Sequence, residues 1–289
     1  VDARPPVGQN PPAGTLIDYY LPAPPSGAIS IDILDGKGAV VRHLTSEKSQ
    51  QEEQPPEWPD QVQPVNTLPA LQGMNRFVWN LRYDDPVQIP GAFYAGLPPR
   101  GPLVSPGSYT VRLTYGGQSQ TVPLTIAADP RNKGSLAGLQ QKVALAMEVY
   151  HDQDALHRAV NDIRSVKSGV AEALKQAGGG KPNAALAAEG NKLVAQASQI
   201  EGVLMQVNIK GSEANLNFPG MLNEQIYSFS GLLDDADTAP NAEEIATYAD
   251  MHAKLGTQLA AWKDLKQTHV GSFCTHAQSA GGRPSSLCR

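Results

Sequence analysis

Along the first 130 positions apolar residues come in short runs broken by proline. After Asp129-Pro130-Arg131 they recur every three or four positions instead. The first pattern predicts strands and the second helices, so the chain reads as a β-domain followed by an α-domain. Thr15 to Leu21 is a strand stopped by Pro22. Between Ala28 and Leu34, Ile29, Ile31 and Ile33 alternate with Ser30 and Asp32, the mark of a half-buried strand. Asp35-Gly36-Lys37-Gly38 makes a tight turn, its Asp-Gly pair supplying the positive φ of a hairpin, and Val40 to Leu44 returns as the partner strand. Asn75 to Leu81 carries Phe77 and Trp79 on one face, which predicts core packing for that pair. Pro106-Gly107 leads into Ser108 to Thr114, and Gly116-Gly117 turns that strand into Thr121 to Ile126. Strands this short, with turns at this spacing, predict an antiparallel β-sandwich over residues 1–128. Two long insertions interrupt it, about Ser46 to Gly73 and Tyr83 to Ser105. Such loops are functional, or pack against a neighbour, or are plain surface.

Four helices follow, predicted to pack as an antiparallel bundle over residues 132–270. The first carries Leu139, Val143, Ala146, Tyr150, Leu156, Val160, Ile163, Val170 and Leu174 on one stripe, ending at Gly178-Gly179-Gly180 and Pro182. The second repeats Leu186, Leu193, Ile200 and Val207, and the third holds Leu222, Ile226, Phe229 and Leu232. The fourth starts at Asn241 as N-cap with Glu244 completing a capping box. Its stripe is Ile245, Tyr248, His252, Leu255, Leu259 and Trp262. Residues 271–289 read as an irregular tail holding both cysteines, Cys274 and Cys288. Their spacing suits a disulfide closing a terminal loop, which an oxidising compartment would preserve; two free thiols are the alternative.

Composition narrows the function classes. A net charge of -5 and pI near 5.7 argue against a nucleic-acid surface. No apolar run is long enough for a membrane span. The chain opens on Val1 with no signal-type segment, which suggests a processed protein or, preferably, a piece of a longer one. No catalytic, cofactor or metal constellation emerges. Glu148 and His151 have the Glu-x-x-His spacing of a carboxylate di-metal site, but its second motif is missing, so a solvated helix face is expected. His151, Asp154 and His157 step around a helix without converging. Asp84-Asp85 and Asp234-Asp235 are neighbours that point apart, unlike the facing carboxylates of a glycosidase. Gly178 to Gly180 with Lys181 follows a helix instead of a strand, so it is read as a helix stop and not a phosphate cradle. Trp58, Phe93 and Tyr94 lie in the long loops, where exposed aromatics would form an interaction surface for a protein or, second, a carbohydrate.

The runs Asn10 to Leu21, Ile33 to Gly38 with Val41-Arg42, Gly73 to Tyr83, Gly101 to Leu103 and Pro106 to Leu113 resemble one region of large secreted bacterial proteins. It is the region just after the β-propeller of proteins that carry sortilin-like or BNR-type repeats and are often labelled glycosyl hydrolases. The β-module is also similar to the Ig-like fold of the flagellar hook-capping protein. Asp129-Pro130-Arg131 and the helices, including Gln258 to Leu265, fit the helical tail that follows in that family. The resemblance implies an Ig-like sandwich plus helices without the propeller, hence without any catalytic residue to carry over. It implies a secreted or periplasmic, non-catalytic module that docks on a propeller or partner subunit. A carbohydrate-binding accessory module and a self-assembling extracellular surface or filament component are the alternatives.

Overall fold

A computed structural model describes residues 12–47, 67–94, 96–131, 134–177, 183–211, 214–280 and 286–288. The chain divides into two compact units. One takes Val1–Asp84 and Leu103–Asn132, the other Asp85–Pro102 and Lys133–Arg289. The second long insertion therefore groups with the helices and not with the strands that flank it.

In the first unit the predicted strands form as β1 (Thr15–Leu21), β2 (Ser30–Leu34), β3 (Val40–Thr45), β4 (Gly73–Trp79), β5 (Gly107–Tyr115) and β6 (Gln118–Ile126). They make two antiparallel sheets, β1-β4 and β3-β2-β5-β6. Both sheets feed one apolar core, in which Ile29, Ile31, Ile33 and Leu44 meet Ile17, Tyr19, Phe77 and Trp79. The alternation read at β2 is what aims its isoleucines inward, where they keep no exposed surface. The turn after β2 is tied by Asp35, whose carboxylate accepts the N–H groups of Lys37 and Ala39 at 2.8 Å each. Its left-handed residue is Gly38, at φ 82°, and not Gly36 of the expected Asp-Gly pair. The β5–β6 hairpin turns on Gly116 and Gly117, both at positive φ, as a two-residue primed turn requires. Leu81, just past β4, also adopts a positive φ of 60°. Its carbonyl accepts the Val104 N–H at 2.8 Å, and the Trp79 indole donates to the Arg82 carbonyl at 3.0 Å, so neighbours on both sides hold that conformation.

The second unit contains α1 (Leu136–Gln176), α2 (Ala184–Leu204), α3 (Leu222–Asp234), α4 (Ala242–Leu265) and α5 (Gly271–Ser279). Caps set the starts. Ser135 accepts from Gly138 at α1, Asn183 accepts from Ala185 and Leu186 at α2, and the Asn241–Glu244 capping box forms at α4 as its sequence predicts. One apolar cluster runs through all five helices. Three residues placed on inward stripes are exposed instead: Val207 lies beyond the end of α2, Leu233 takes the buried place expected of Leu232, and Ile245 lies outside the buried stripe of α4, which begins at Tyr248. His252 of the same stripe is exposed as well, because its ring turns outward to Asp152.

The tail is not irregular throughout. A five-residue π-helical turn, Lys266–Val270, carries α4 into α5, and Ser286–Cys288 forms a 3-10 turn. Gly271, Ser272, Thr275 and Ser279 are weak helix formers, yet burial of Phe273 and Ala277 overrides that preference. The extra residue in the π turn shifts the helical phase, which hides the continuation from a search for 3–4 spacing. Cys274 and Cys288 are joined, with Cα atoms 5.4 Å apart, so the disulfide alternative holds.

Candidate functional site

Trp58 lies outside the described residues. Of the other loop aromatics, Phe93 is half-buried and Tyr94 is only 5 % exposed, so Tyr94 offers no surface to a partner. The reason is that the insertion packs against the helices, where Ile89, Ala92 and Tyr94 join their apolar core. The Tyr94 ring lies 5.0 Å from that of Tyr227, whose hydroxyl donates to the Leu97 carbonyl at 2.8 Å. Phe77 and Trp79 are core residues, as expected.

The same insertion closes over a buried polar knot that the sequence does not announce. Gln153 and His157 stand one turn apart on α1, and Asn223 stands at the start of α3; all three are at most 3 % exposed. His157 donates from Nδ1 to the carbonyl of Val87, and its Nε2 lies 2.6 Å from the Gln153 amide nitrogen and 2.9 Å from Asn223 Oδ1. Asn223 Oδ1 accepts from Gln153 at 2.7 Å and from the Tyr94 hydroxyl at 3.3 Å, while its own amide donates to Glu224 at 2.9 Å. Burial pushes the His157 imidazole below its ordinary range and the Tyr94 phenol above its own. Gln153 Oε1 is the exception, a buried acceptor with no hydrogen-bond partner among the described residues. Around the knot, Val87 N–H donates to Asp154 at 2.8 Å, Asn161 donates to the Gln88 carbonyl at 2.9 Å, and Arg164 to that of Pro90 at 3.0 Å. The Tyr94 hydroxyl and His157 Nε2 thus meet at 3.2 Å inside the buried knot. The arrangement holds the insertion against the helices.

Several titratable groups outside the knot pair with one another. On the four-stranded sheet, Asp32 faces His43 and Arg112 in register, accepting from His43 at 2.6 Å and from Arg112 at 2.9 Å. His252 and Tyr248 of α4 both bond Asp152 of α1, at 2.7 and 2.9 Å. Glu148 and His151 are exposed on α1, in keeping with a solvated face. Asp84 accepts the His43 backbone N–H, Asp85 accepts that of Gly101, and Asp235 caps α3. Gly178 to Gly180 and Lys181 lie outside the described residues. Among the described residues no three His, Cys, Asp or Glu side chains gather as a metal site, and no helix is long and apolar enough to cross a membrane.

One surface departs from this polar pattern. On the outer side of the β1-β4 sheet, Leu16, Tyr20 and Met74 are 44, 62 and 68 % exposed, and Leu71 just before β4 is 70 % exposed. Register sets Tyr20 opposite Met74 and Leu16 opposite Val78, with the Asp18–Arg76 pair between them at 2.7 and 2.8 Å. Leu16, Tyr20 and Met74 thus share one exposed face of this sheet.

No family model, no curated protein and no solved structure matches this chain.

Proposed function

We propose that this chain is a non-catalytic interaction module of a secreted protein, docking on a β-propeller domain or partner subunit, with its strands forming an Ig-like sandwich and its helices a bundle. The observation that carries the reading is the apolar outer face of the β1-β4 sheet, where Leu16, Tyr20 and Met74 flank a single ion pair. Exposed aromatic and methionine side chains are enriched at protein contacts. The sandwich reading is supported by Tyr109, whose hydroxyl donates to the carbonyl of Ser105 four residues upstream at 2.6 Å, and whose ring meets buried Trp79 edge-on. Ig-like domains use a tyrosine corner and a buried tryptophan in this manner. The disulfide supports an oxidising, extracellular setting. The sequence resemblance supplies the propeller as the kind of partner.

Native mass spectrometry of the protein from its source tests the proposal. The expected result is a stoichiometric complex with a propeller-containing chain, lost in a Tyr20→Glu/Met74→Glu variant whose circular dichroism is unchanged. A monomer in both cases, or a complex indifferent to the two substitutions, overturns it. A homo-oligomer instead favours the self-assembling alternative.

A further inference from the structure

Each cysteine is preceded by an apolar residue, and each of those residues fits a helix position held by glycine. Phe273, before Cys274, has no exposed surface; a Cβ added to Gly190 of α2 would fall 3.0 Å from its ring. Leu287, before Cys288, lies against Gly169 of α1, where an added Cβ would stand 2.6 Å from the Leu287 Cβ. Gly169 sits inside a 41-residue helix, where glycine is the least favoured residue short of proline. The close approach of Leu287 accounts for it there.

The two knobs differ in what else holds them. Phe273 rides on α5, which continues α4 through the π turn and belongs to the main helical core. Leu287 rides on a three-residue 3-10 turn, whose Cys288 carbonyl accepts a long 3.4 Å bond from Gln278. Its strongest tie to the described helices is the bond from Cys288 to Cys274, and both cysteines are only half-buried.

We propose that the Cys274–Cys288 bond is a redox-operated latch that seats Leu287 in the Gly169 socket, so that a dithiol reductant frees the Ser286–Cys288 turn without melting the helices. The reductant's thiolate attacks one cysteine sulfur to give a mixed disulfide, and its second thiol resolves it. Two electrons and two protons pass to the protein, leaving two cysteine thiols and an oxidised reductant. Release of Leu287 uncovers an apolar hollow on α1, while Phe273 stays in the Gly190 socket. This inference does not depend on the docking role proposed above.

Hydrogen exchange followed by mass spectrometry on the whole chain tests the latch. Oxidised protein is compared with dithiothreitol-treated protein and with the Cys274→Ser/Cys288→Ser variant. Exchange in the peptide holding Ser286–Cys288 is expected to rise about a hundredfold in both, the factor that closure of a loop this size contributes. Peptides of α1, α2 and α5 are expected to keep their protection. Gly169→Val, which fills the socket, is expected to free the same peptide while intact mass shows the disulfide still formed. Unchanged exchange at Ser286–Cys288 after reduction overturns the proposal. So does loss of protection through α1 and α2, which would make the bond a staple for the whole unit. Should Gly169→Val fail to fold, the double serine variant, whose helix-packing residues are untouched, decides alone.

Discussion

His157 has no exposed surface, and that burial favours the neutral ring. Nδ1 donates to the Val87 carbonyl, while Nε2 faces both the Gln153 amide nitrogen at 2.6 Å and Asn223 Oδ1 at 2.9 Å. Burial lowers its proton affinity and outweighs the bonds to Val87 and Asn223 and the nearby Asp154 and Glu224 carboxylates, which pull the other way. The sign of the pH effect follows. An unfolded chain protonates this ring near its ordinary value of 6.5, whereas the folded chain resists until lower pH. The stabilisation is therefore full above 6.5 and is lost as pH falls from there through the lowered folded value. His157→Gln, which cannot titrate, is expected to cost roughly 1–3 kcal/mol at pH 7.5 by disrupting the buried knot. The gap between it and the wild type should narrow as denaturant titrations move toward pH 5.5. A constant gap would mean that another group titrates. The spacing of His151, Asp154 and His157 did reveal that they do not converge. It gave no hint of the bond to Val87, because that partner is 70 residues away.

At the scale of elements, glycines with the same propensity have opposite meanings. Gly190 and Gly202 both lie within α2, where alanine is favoured over glycine by roughly 1 kcal/mol. A Cβ at Gly202 meets nothing within 4 Å, so Gly202→Ala should raise stability by about 0.4–1 kcal/mol. At Gly190 the same atom would press on Phe273, Leu174 and Val170 at 3.0–3.1 Å. Overpacking of that kind costs about 1–3 kcal/mol, more than the propensity gain, so Gly190→Ala should lower Tm while Gly202→Ala raises it. Thermal melts of the two variants beside the wild type check both signs at once. The leucines of α2 and the alternating isoleucines of β2 were legible because a regular period reports a buried face directly. A glycine socket was not, since the residue that fills it comes from elsewhere in the chain. Helix α5 escaped for a related reason, the π turn having broken the period that would have exposed it.

At the scale of the whole chain, the segment Asp85–Pro102 is strung between strands of one unit yet packs as part of the other. Its sequence has no helical or strand period, so nothing local marked its destination. What marks it in three dimensions is the burial of Ile89, Ala92 and Tyr94 among the helices, and the capture of the Val87, Gln88 and Pro90 carbonyls by His157, Asn161 and Arg164. The helices are thus incomplete without it. A fragment of residues 133–289 would open the cleft that Tyr94 fills and leave His157 and Asn223 short of partners. Losing one large buried side chain alone costs about 3–5 kcal/mol, a large share of the stability of such a unit. The fragment is therefore expected to melt well below the helices of the full chain, or to unfold outright. A synthetic peptide of residues 85–102 added in excess should recover part of the lost helical signal. Recovery should be weaker for a peptide with Tyr94→Ala, because binding to the folded form alone raises stability in proportion to occupancy. A fragment as stable as the full chain, or one indifferent to the peptide, would show that the insertion merely rests on the helices and that the knot around His157 adds nothing to their stability.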